Sequence, residues 1–190
     1  MKNLFTIITL FFLISCKAQT VVSINTINQG SNSNKYFKDL DNNSQNFVGT
    51  WENTTGEITF RVILWKVERE ALPNEINSFK DEIYGKFLII KNAGQPNETV
   101  LHNSVKYYPQ NGQTTTWAIL GTPYKNNSFS PFIMDTCANG GNSVLEGTVT
   151  MEITNLGYSP LTANWSVKSS RDLDAGEYFS VPTNTILTKQ

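Results

Sequence analysis

Hydrophobic residues follow two patterns along this chain: an unbroken apolar run near the N-terminus and short alternating segments from residue 47 onward. In the second region, runs of β-branched and aromatic residues alternate with clusters of Gly, Pro, Asn and Asp, which is typical of strands joined by turns. The pattern predicts nine strands, at Phe47–Glu52, Ile58–Glu68, Ile83–Lys91, Glu98–Asn103, Thr114–Leu120, Phe129–Asp135, Ser143–Ile153, Leu161–Lys168 and Thr185–Lys189. Only Arg69–Phe79 offers a helical alternative, and Pro73 interrupts it.

The arrangement of these strands favours an antiparallel sheet that closes on itself. In Leu161–Lys168 apolar residues occupy alternate positions, as in a strand with one buried and one solvated face. Ile58–Val67 carries apolar residues on both faces, so this strand is covered on both sides or borders a site. The turns are short, and no segment is suited to a crossover helix. We therefore predict an all-β fold, an antiparallel up-and-down barrel of about eight to nine strands, with a sandwich as the alternative closure.

The apolar run at the N-terminus has the length of a signal peptide rather than of a membrane span. Leu4–Ile14 holds eleven residues, which as a helix rise about 16 Å, roughly half of a hydrocarbon core. It is followed by Ser15 and Cys16, and Leu13–Cys16 resembles the bacterial lipobox. We expect cleavage before Cys16 and acylation of its thiol and its freed amine. The alternative is an ordinary secretory peptide with Cys16 near the cut by chance.

These features predict how the chain is organised. Residues 1–15 are the signal peptide, residues 16–46 a tether with a short helical turn, and residues 47–190 the barrel domain. Within the tether, Asn28–Asn34 is polar enough for disorder, whereas Val21–Ile27 has enough branched residues to dock as an extra strand.

The same features predict where the protein resides. Acyl chains on Cys16 would anchor it to a membrane, because each buried CH₂ contributes about 0.8 kcal/mol and two chains suffice for stable attachment. Lys17 stands where some bacteria place an Asp for inner-membrane retention. We therefore expect a lipid-anchored protein of the cell envelope, at the outer membrane.

Composition limits the possible partners. Lys2 is the only charged residue in the signal peptide, so the mature chain carries 14 Lys and Arg against 16 Asp and Glu. Without a basic field, nucleic acid is not an expected partner. If Cys16 is acylated, Cys137 has no intrachain partner, and the fold depends on its core rather than on a disulfide. We expect a monomer.

A family resemblance begins at Gly49-Thr50-Trp51, at the head of the first predicted strand. This triplet is similar to the Gly-x-Trp signature of the lipocalin superfamily, in which the Trp closes one end of an eight-stranded barrel and an Arg near the last strands stacks on it. The resemblance implies that Gly49, Trp51 and Arg171 close the barrel here. Nearly the whole chain also resembles a group of lipocalin-like lipoproteins of Bacteroidota, a resemblance that implies no particular activity.

The sequence offers few groups for catalysis. His102 is the only histidine, which excludes a histidine-rich zinc site, and no Gly-x-Ser-x-Gly motif is present. A pair of Cys137 and His102 is conceivable. Asp39–Asn43 begins like an EF-hand loop, but Ser44 stands in place of the loop Gly and Thr50 in place of the terminal Glu. Asp172–Glu177 clusters three carboxylates and could bind calcium weakly, with a solvated turn as the alternative.

Paired carboxylates for hydrolysis are a further alternative. Glu146 and Glu152 share a face of one predicted strand but lie roughly 20 Å apart, too far for one site. They are better explained as solvent-facing charges.

We therefore predict a non-enzymatic, membrane-anchored, lipocalin-like barrel that binds a small apolar ligand or serves a role in the envelope. Phe60, Trp65 and Trp117 are the candidate ligand-lining residues. No cofactor or metal is expected. The alternatives are a protein-interaction module of the cell envelope and a carboxylate-based hydrolase.

Overall fold

The computed structural model of the chain describes residues 19–105, 107–108, 113–114, 116–141 and 143–190. The predicted signal peptide and the predicted acylation site, Cys16, lie outside these residues. No helix within the described part of the chain is both long and apolar enough to cross a membrane.

Strands dominate the described residues. They are β1 Thr20–Ser23, β2 Lys35–Lys38, β3 Gly49–Thr55, β4 Ile58–Ala71, β5 Phe79–Lys91, β6 Thr99–Asn103, β7 Tyr107–Tyr108, β8 Gln113–Thr114, β9 Ile119–Gly121, β10 Ser128–Phe129, β11 Phe132–Asp135, β12 Leu145–Ile153, β13 Thr162–Ser169 and β14 Asn184–Lys189. Two 3₁₀ turns, Ile24–Thr26 and Asn43–Asn46, and one short helical turn, Ala138–Gly141, accompany them.

Eight strands close into an antiparallel barrel, which confirms the predicted fold class. Their order is β5-β4-β3-β14-β13-β12-β11-β9, and β9 returns to the first half of β5. Outside this ring, β6 pairs with the second half of β5, and β10 pairs with the end of β12. Strands β7 and β8 pair with each other in a separate two-stranded antiparallel sheet. A closed ring leaves few strand edges open. The sheet therefore closes as a barrel and not as the alternative, a sandwich.

Two of the predicted strands are interrupted. Phe129–Asp135 is divided between β10 and β11 at Pro131, which has no N–H to donate to a ladder. Within Thr114–Leu120, strand structure is present at Thr114, in β8, and again from Ile119, in β9.

The segment that offered a helical alternative is a strand end and a turn. Strand β4 continues to Ala71 through a bulge between Val67 and Glu70, and Arg69 adopts a positive φ of 59° there. The β4–β5 pair therefore extends as a long hairpin beyond the neighbouring strands. Its tip is the turn 72–78, and the side of the extended hairpin provides an edge for the N-terminal strands.

Residues 19–46 pack on this hairpin, which differs from the predicted flexible tether. Strand β1 pairs in parallel with β2, and β2 pairs in parallel with β5. Ile24, Tyr36 and Phe37 are buried, so the segment contributes apolar area that a disordered tether would leave in water. The extra strand expected within Val21–Ile27 is present as part of β1. The predicted short turn before the barrel is the 3₁₀ turn Asn43–Asn46.

The barrel interior is filled by side chains from all eight of its strands. The largest fully buried ones include Trp51, Trp165, Phe87, Ile119 and Ile133. The Phe60 ring contacts Trp165 edge-on, with centroids 5.5 Å apart. Each such side chain contributes about 1.5–3 kcal/mol when it leaves water, so this core accounts for much of the stability of a chain without a disulfide.

Candidate functional site

One end of the barrel is closed by a lysine that lies over a buried tryptophan. Trp51 is fully buried, and its Nε1 donates a 2.7 Å hydrogen bond to the carbonyl oxygen of Phe47. The Lys189 ammonium, from the last strand, lies 5.6 Å from the centroid of the Trp51 ring. It also donates to the carbonyl oxygens of Asn46, at 2.9 Å, and Gln45, at 3.2 Å. Burial lowers the pKa of this ammonium, and the ring face and the two carbonyls replace part of its hydration.

Gly49 allows this closure through its backbone and its missing side chain. Its φ is 126°, a conformation that favours glycine. A Cβ at this position would lie 3.1 Å from Cε of Lys189. The structure therefore brings Gly49 and Trp51, two of the predicted barrel-closing residues, together under Lys189.

Arg171, the third predicted barrel-closing residue, is not at this end. It lies in the segment after β13, where its guanidinium donates two 2.7 Å hydrogen bonds to the carboxylate of Glu177 and one of 2.8 Å to the carbonyl of Asp172. The prediction for Arg171 is wrong because the last strand itself supplies a cation, Lys189. Arg171 instead braces the largely exposed segment 171–177.

The opposite end of the barrel is covered by residues 170–183, which we call the covering loop. Phe179 and Val181 of this loop are buried among the core side chains. Nε1 of Trp165, inside the barrel, donates a 3.0 Å hydrogen bond to the carbonyl oxygen of Pro182. The loop thus fills the opening through which a ligand would reach the interior of such a barrel.

A buried carboxylate holds the covering loop in place. Asp135 at the end of β11 is fully buried, and Oδ2 accepts from the backbone N–H of Ser180 at 2.5 Å. The Ser180 hydroxyl donates to the same carboxylate at 2.8 Å, and the Cys137 N–H donates to Oδ1 at 2.9 Å. We call the Asp135–Ser180 contact the latch. Such bonds to a charged acceptor are each worth about 1.5–3 kcal/mol.

An apolar depression lies beside the covering loop at this end. Its volume is about 270 Å³, and its lining combines barrel and loop residues: Asn53, Thr55, Ile58, Phe60, Ile89, Ser180, Val181 and Pro182. The floor is Phe60, whose ring contacts Trp165 in the core. The depression lies just below the 300–1,000 Å³ range of pockets for drug-sized ligands.

A larger depression, of about 430 Å³, lies on the outer surface near the same end. Its lining includes the ion pair of Glu52 and Arg61, and Glu57 pairs with Lys91 at 3.2 Å. Because these charges already have partners, the surface is polar and well solvated. It does not suit an apolar ligand.

The three predicted ligand-lining residues do not share a cavity. Phe60 faces the interior, whereas Trp65 lies on the opposite face of β4, because side chains alternate along a strand. Trp117 is also outside the core, and its ring lies 5.6 Å from that of Tyr84, the residue paired with Trp65. The sequence could not reveal this, since β4 has apolar residues on both faces.

Trp65, Tyr84 and Trp117 thus form a half-buried aromatic cluster on the outside of the barrel, which we call the outer aromatic cluster. Burial, together with the nearby carboxylates of Glu70 and Glu82, raises the pKa of Tyr84 to about 12. The phenol is therefore neutral at physiological pH.

A second buried carboxylate fixes the N-terminal segment to the hairpin. Asp81 is fully buried and accepts hydrogen bonds from the Tyr36 hydroxyl at 2.5 Å and the Asp39 N–H at 3.1 Å, and Lys66 pairs with it at 3.1 Å. Burial alone would raise the pKa of Asp81, but these partners outweigh it and hold the pKa below 3.8. Sequence reasoning missed this group, which we call the Asp81 clasp, because its members are far apart in the chain.

The remaining candidates for chemistry have structural partners. Cys137 is buried, and its Sγ donates to the carbonyl oxygen of Asn103 at 3.5 Å rather than to His102. The structure thus gives no support to a Cys–His pair.

The acidic segments considered for calcium or for hydrolysis also have other roles. The Asp39 carboxylate accepts from the N–H groups of Asn43 and Ser44, at 2.9 and 2.8 Å, and so orders the 3₁₀ turn. Glu146 and Glu152 are on the exposed face of β12. Among the residues that the structure describes, no cluster of three or more His, Cys, Asp or Glu side chains could hold a metal ion.

Comparisons with known proteins place the chain in a family. No curated protein and no solved structure matches it. A family profile matches residues 1–190, the full length of the sequence. The chain therefore belongs to the family of unknown function DUF6705.

Proposed function

We propose that this protein is a non-enzymatic, lipid-anchored protein of the cell envelope whose barrel binds a small apolar ligand beside the covering loop. The observation that carries the proposal is the depression beside the covering loop, at the end of the barrel that this loop covers. Phe60, Ile89, Val181 and Pro182 give it an apolar lining, and Asn53 and Ser180 place polar groups at its edge. Few polar groups around an apolar surface are typical of small-molecule sites.

The size of the depression limits the ligand. At about 270 Å³ it accepts a compact molecule of one or two rings or a short acyl chain end. A larger ligand requires the covering loop to move, because Phe179 and Val181 of this loop already pack among the core side chains of the barrel. The latch at Asp135 is then what a larger ligand must displace.

The anchor belongs to the same proposal. The apolar run Leu4–Ile14 and the lipobox-like Leu13–Cys16 support cleavage before Cys16 and acylation of that residue. The similarity of Gly49-Thr50-Trp51 to the lipocalin signature supports a binding role for the barrel.

A fluorescent probe tests the binding site. We expect N-phenyl-1-naphthylamine to bind saturably to the non-acylated chain 17–190, which contains every residue that the structure describes. The rise in the probe's own emission on leaving water should report it, and direct excitation of the probe keeps this signal independent of the tryptophans in the chain. Ile58→Trp fills the rim of the depression, at a side chain that is 38% exposed, and should weaken binding about tenfold.

A matched control places the same large side chain at the opposite end. Tyr124→Trp, at a residue 47% exposed, should leave binding unchanged. Equal affinity of the Ile58→Trp variant and the unmodified chain would refute the proposed site.

The second candidate function is that of a protein-interaction module. The filled barrel interior and the outer aromatic cluster favour it. Absence of any saturable binding of the probe would favour this function over ligand binding.

A further inference from the structure

The first described residues of the chain lie at the tip of the β4–β5 hairpin. The Gln19 side chain donates to the carbonyl oxygens of Asn77, at 3.0 Å, and Lys35, at 3.4 Å. Thr20 N–H donates to the Asn34 carbonyl, and Asn34 N–H donates to the Ile76 carbonyl at 3.0 Å. The start of β1 and the turn 72–78 are thus held together by direct hydrogen bonds.

This contact fixes how far the proposed lipid can be from the barrel. Cys16 and Gln19 are separated by three peptide units, which span at most about 11 Å whatever conformation they adopt. The Cα of an acylated Cys16 would therefore lie within about 11 Å of the Cα of Gln19, whose side chain contacts the hairpin tip. A tether of 31 residues, as predicted for 16–46, would have imposed no such limit.

The hairpin tip presents an apolar side chain to its surroundings. Ile76 is 76% exposed, the largest exposed fraction among the large hydrophobic residues described, and Pro73 beside it is exposed as well. The one carboxylate of the turn, Glu75, accepts hydrogen bonds from Asn32 at 3.4 Å and Ser33 at 3.2 Å. The turn itself is closed by a 2.8 Å bond from Leu72 N–H to the Ser78 carbonyl.

We infer that the turn 72–78 rests on the bilayer beside the lipid, with Ile76 in the interfacial region. This inference rests on the acylation of Cys16 proposed above. The lipid bilayer is the partner because the reach of residues 16–18 brings the membrane surface to this turn. The covering loop and the depression beside it are at the other end of the barrel, so that end faces away from the membrane that holds the protein.

A polarity-sensitive label tests the orientation. The acylated mature protein is placed in phosphatidylcholine vesicles after Cys137→Ala, so that a single introduced cysteine carries the fluorophore NBD. At Ile76→Cys, NBD emission should shift to shorter wavelength and be quenched by brominated lipid. At Tyr178→Cys, a 56% exposed position in the covering loop, neither change should occur.

The outcomes separate the two proposals. If mass spectrometry finds acyl chains on Cys16 and NBD at residue 76 remains in water, the docking inference is wrong while the anchor stands. Equal quenching at residues 76 and 178 would also overturn it. If the mature protein carries no acyl chain, the anchor and the docking fail together.

Discussion

The closed end of the barrel depends on three residues, Gly49, Trp51 and Lys189. A short Gly-x-Trp motif led to the prediction for Gly49 and Trp51, and the structure places both against Lys189 at this end of the barrel. The role of Lys189 could not be predicted, because a lysine next to the C-terminus is expected to extend into solvent. Only the pairing of β14 with β3 places its ammonium over the Trp51 ring. The predicted partner, Arg171, instead pairs with Glu177.

Removing the ammonium should therefore weaken the closed end. Lys189→Ala is expected to lower the free energy of unfolding by about 1–2 kcal/mol, through loss of one cation–π contact and two hydrogen bonds. For a chain of this size this corresponds to a fall in Tm of roughly 2–8 °C in a thermal scan. Arg171→Ala is the control and should leave Tm unchanged, since that side chain pairs only within the largely exposed segment 171–177. A larger effect of Arg171→Ala than of Lys189→Ala would contradict the assignment.

Strands and turns show where local pattern suffices and where it does not. The alternation in β12 and β13 predicts both strands, because each has one buried and one exposed face. The docking of β1 and β2 was not predicted as a whole, since their parallel pairing joins residues 20–38 to residues 79–80 through contacts that no local pattern encodes. Asp81 illustrates the difficulty: in sequence it is the middle one of three consecutive charged residues, but in the fold it is fully buried.

The Asp81 clasp makes stability depend on pH. Because the pKa of Asp81 is held below 3.8 in the folded chain, its contribution is full above that value and is lost as pH falls through the lowered pKa. Lys66 acts oppositely: its bonds to Glu68 and Asp81 outweigh burial and raise its pKa above 10.5, so its contribution is lost at strongly alkaline pH.

Asp81→Asn should lower the free energy of unfolding by about 2–3 kcal/mol at pH 7, through weakened bonds to Tyr36 and Lys66. The difference from the unmodified chain should narrow below about pH 4, as measured by urea unfolding at several pH values. Asp172→Asn changes an exposed acid and serves as the control. A difference that stays constant down to pH 2 would argue against the clasp.

The whole molecule combines a predictable architecture with an unpredictable interior. An all-β barrel followed from the number of strands and the short turns between them. Whether it is hollow depends on which loops enter it, and sequence patterns do not reveal that Phe179 and Val181 belong to the core. For the same reason Trp65 and Trp117 were wrongly predicted to line the interior. Both faces of β4 carry apolar residues, and only the folded structure shows which face is inside.

The covering loop should open more readily when the latch is weakened. Ser180→Ala removes the hydroxyl bonds to Asp135, and the loop should become about tenfold more sensitive to trypsin at Arg171, which corresponds to about 1.4 kcal/mol of local opening. Ser170→Ala, at an exposed serine of the same loop, is the matched control. Peptide mapping measures both. Unchanged cleavage in the Ser180→Ala variant would show that the latch does not hold the loop.

The burial of Cys137 has a consequence for how this protein could be followed in its native state. Cys137 lies next to Asp135, the residue that holds the covering loop. Its N–H donates to the Asp135 carboxylate, and its Sγ donates to the carbonyl oxygen of Asn103. If Cys16 is acylated as proposed, Cys137 is the one cysteine of the sequence that keeps a free thiol. An alkylating reagent can reach it only when this side of the barrel separates. The rate at which the reagent modifies Cys137 therefore measures how often this side of the barrel opens.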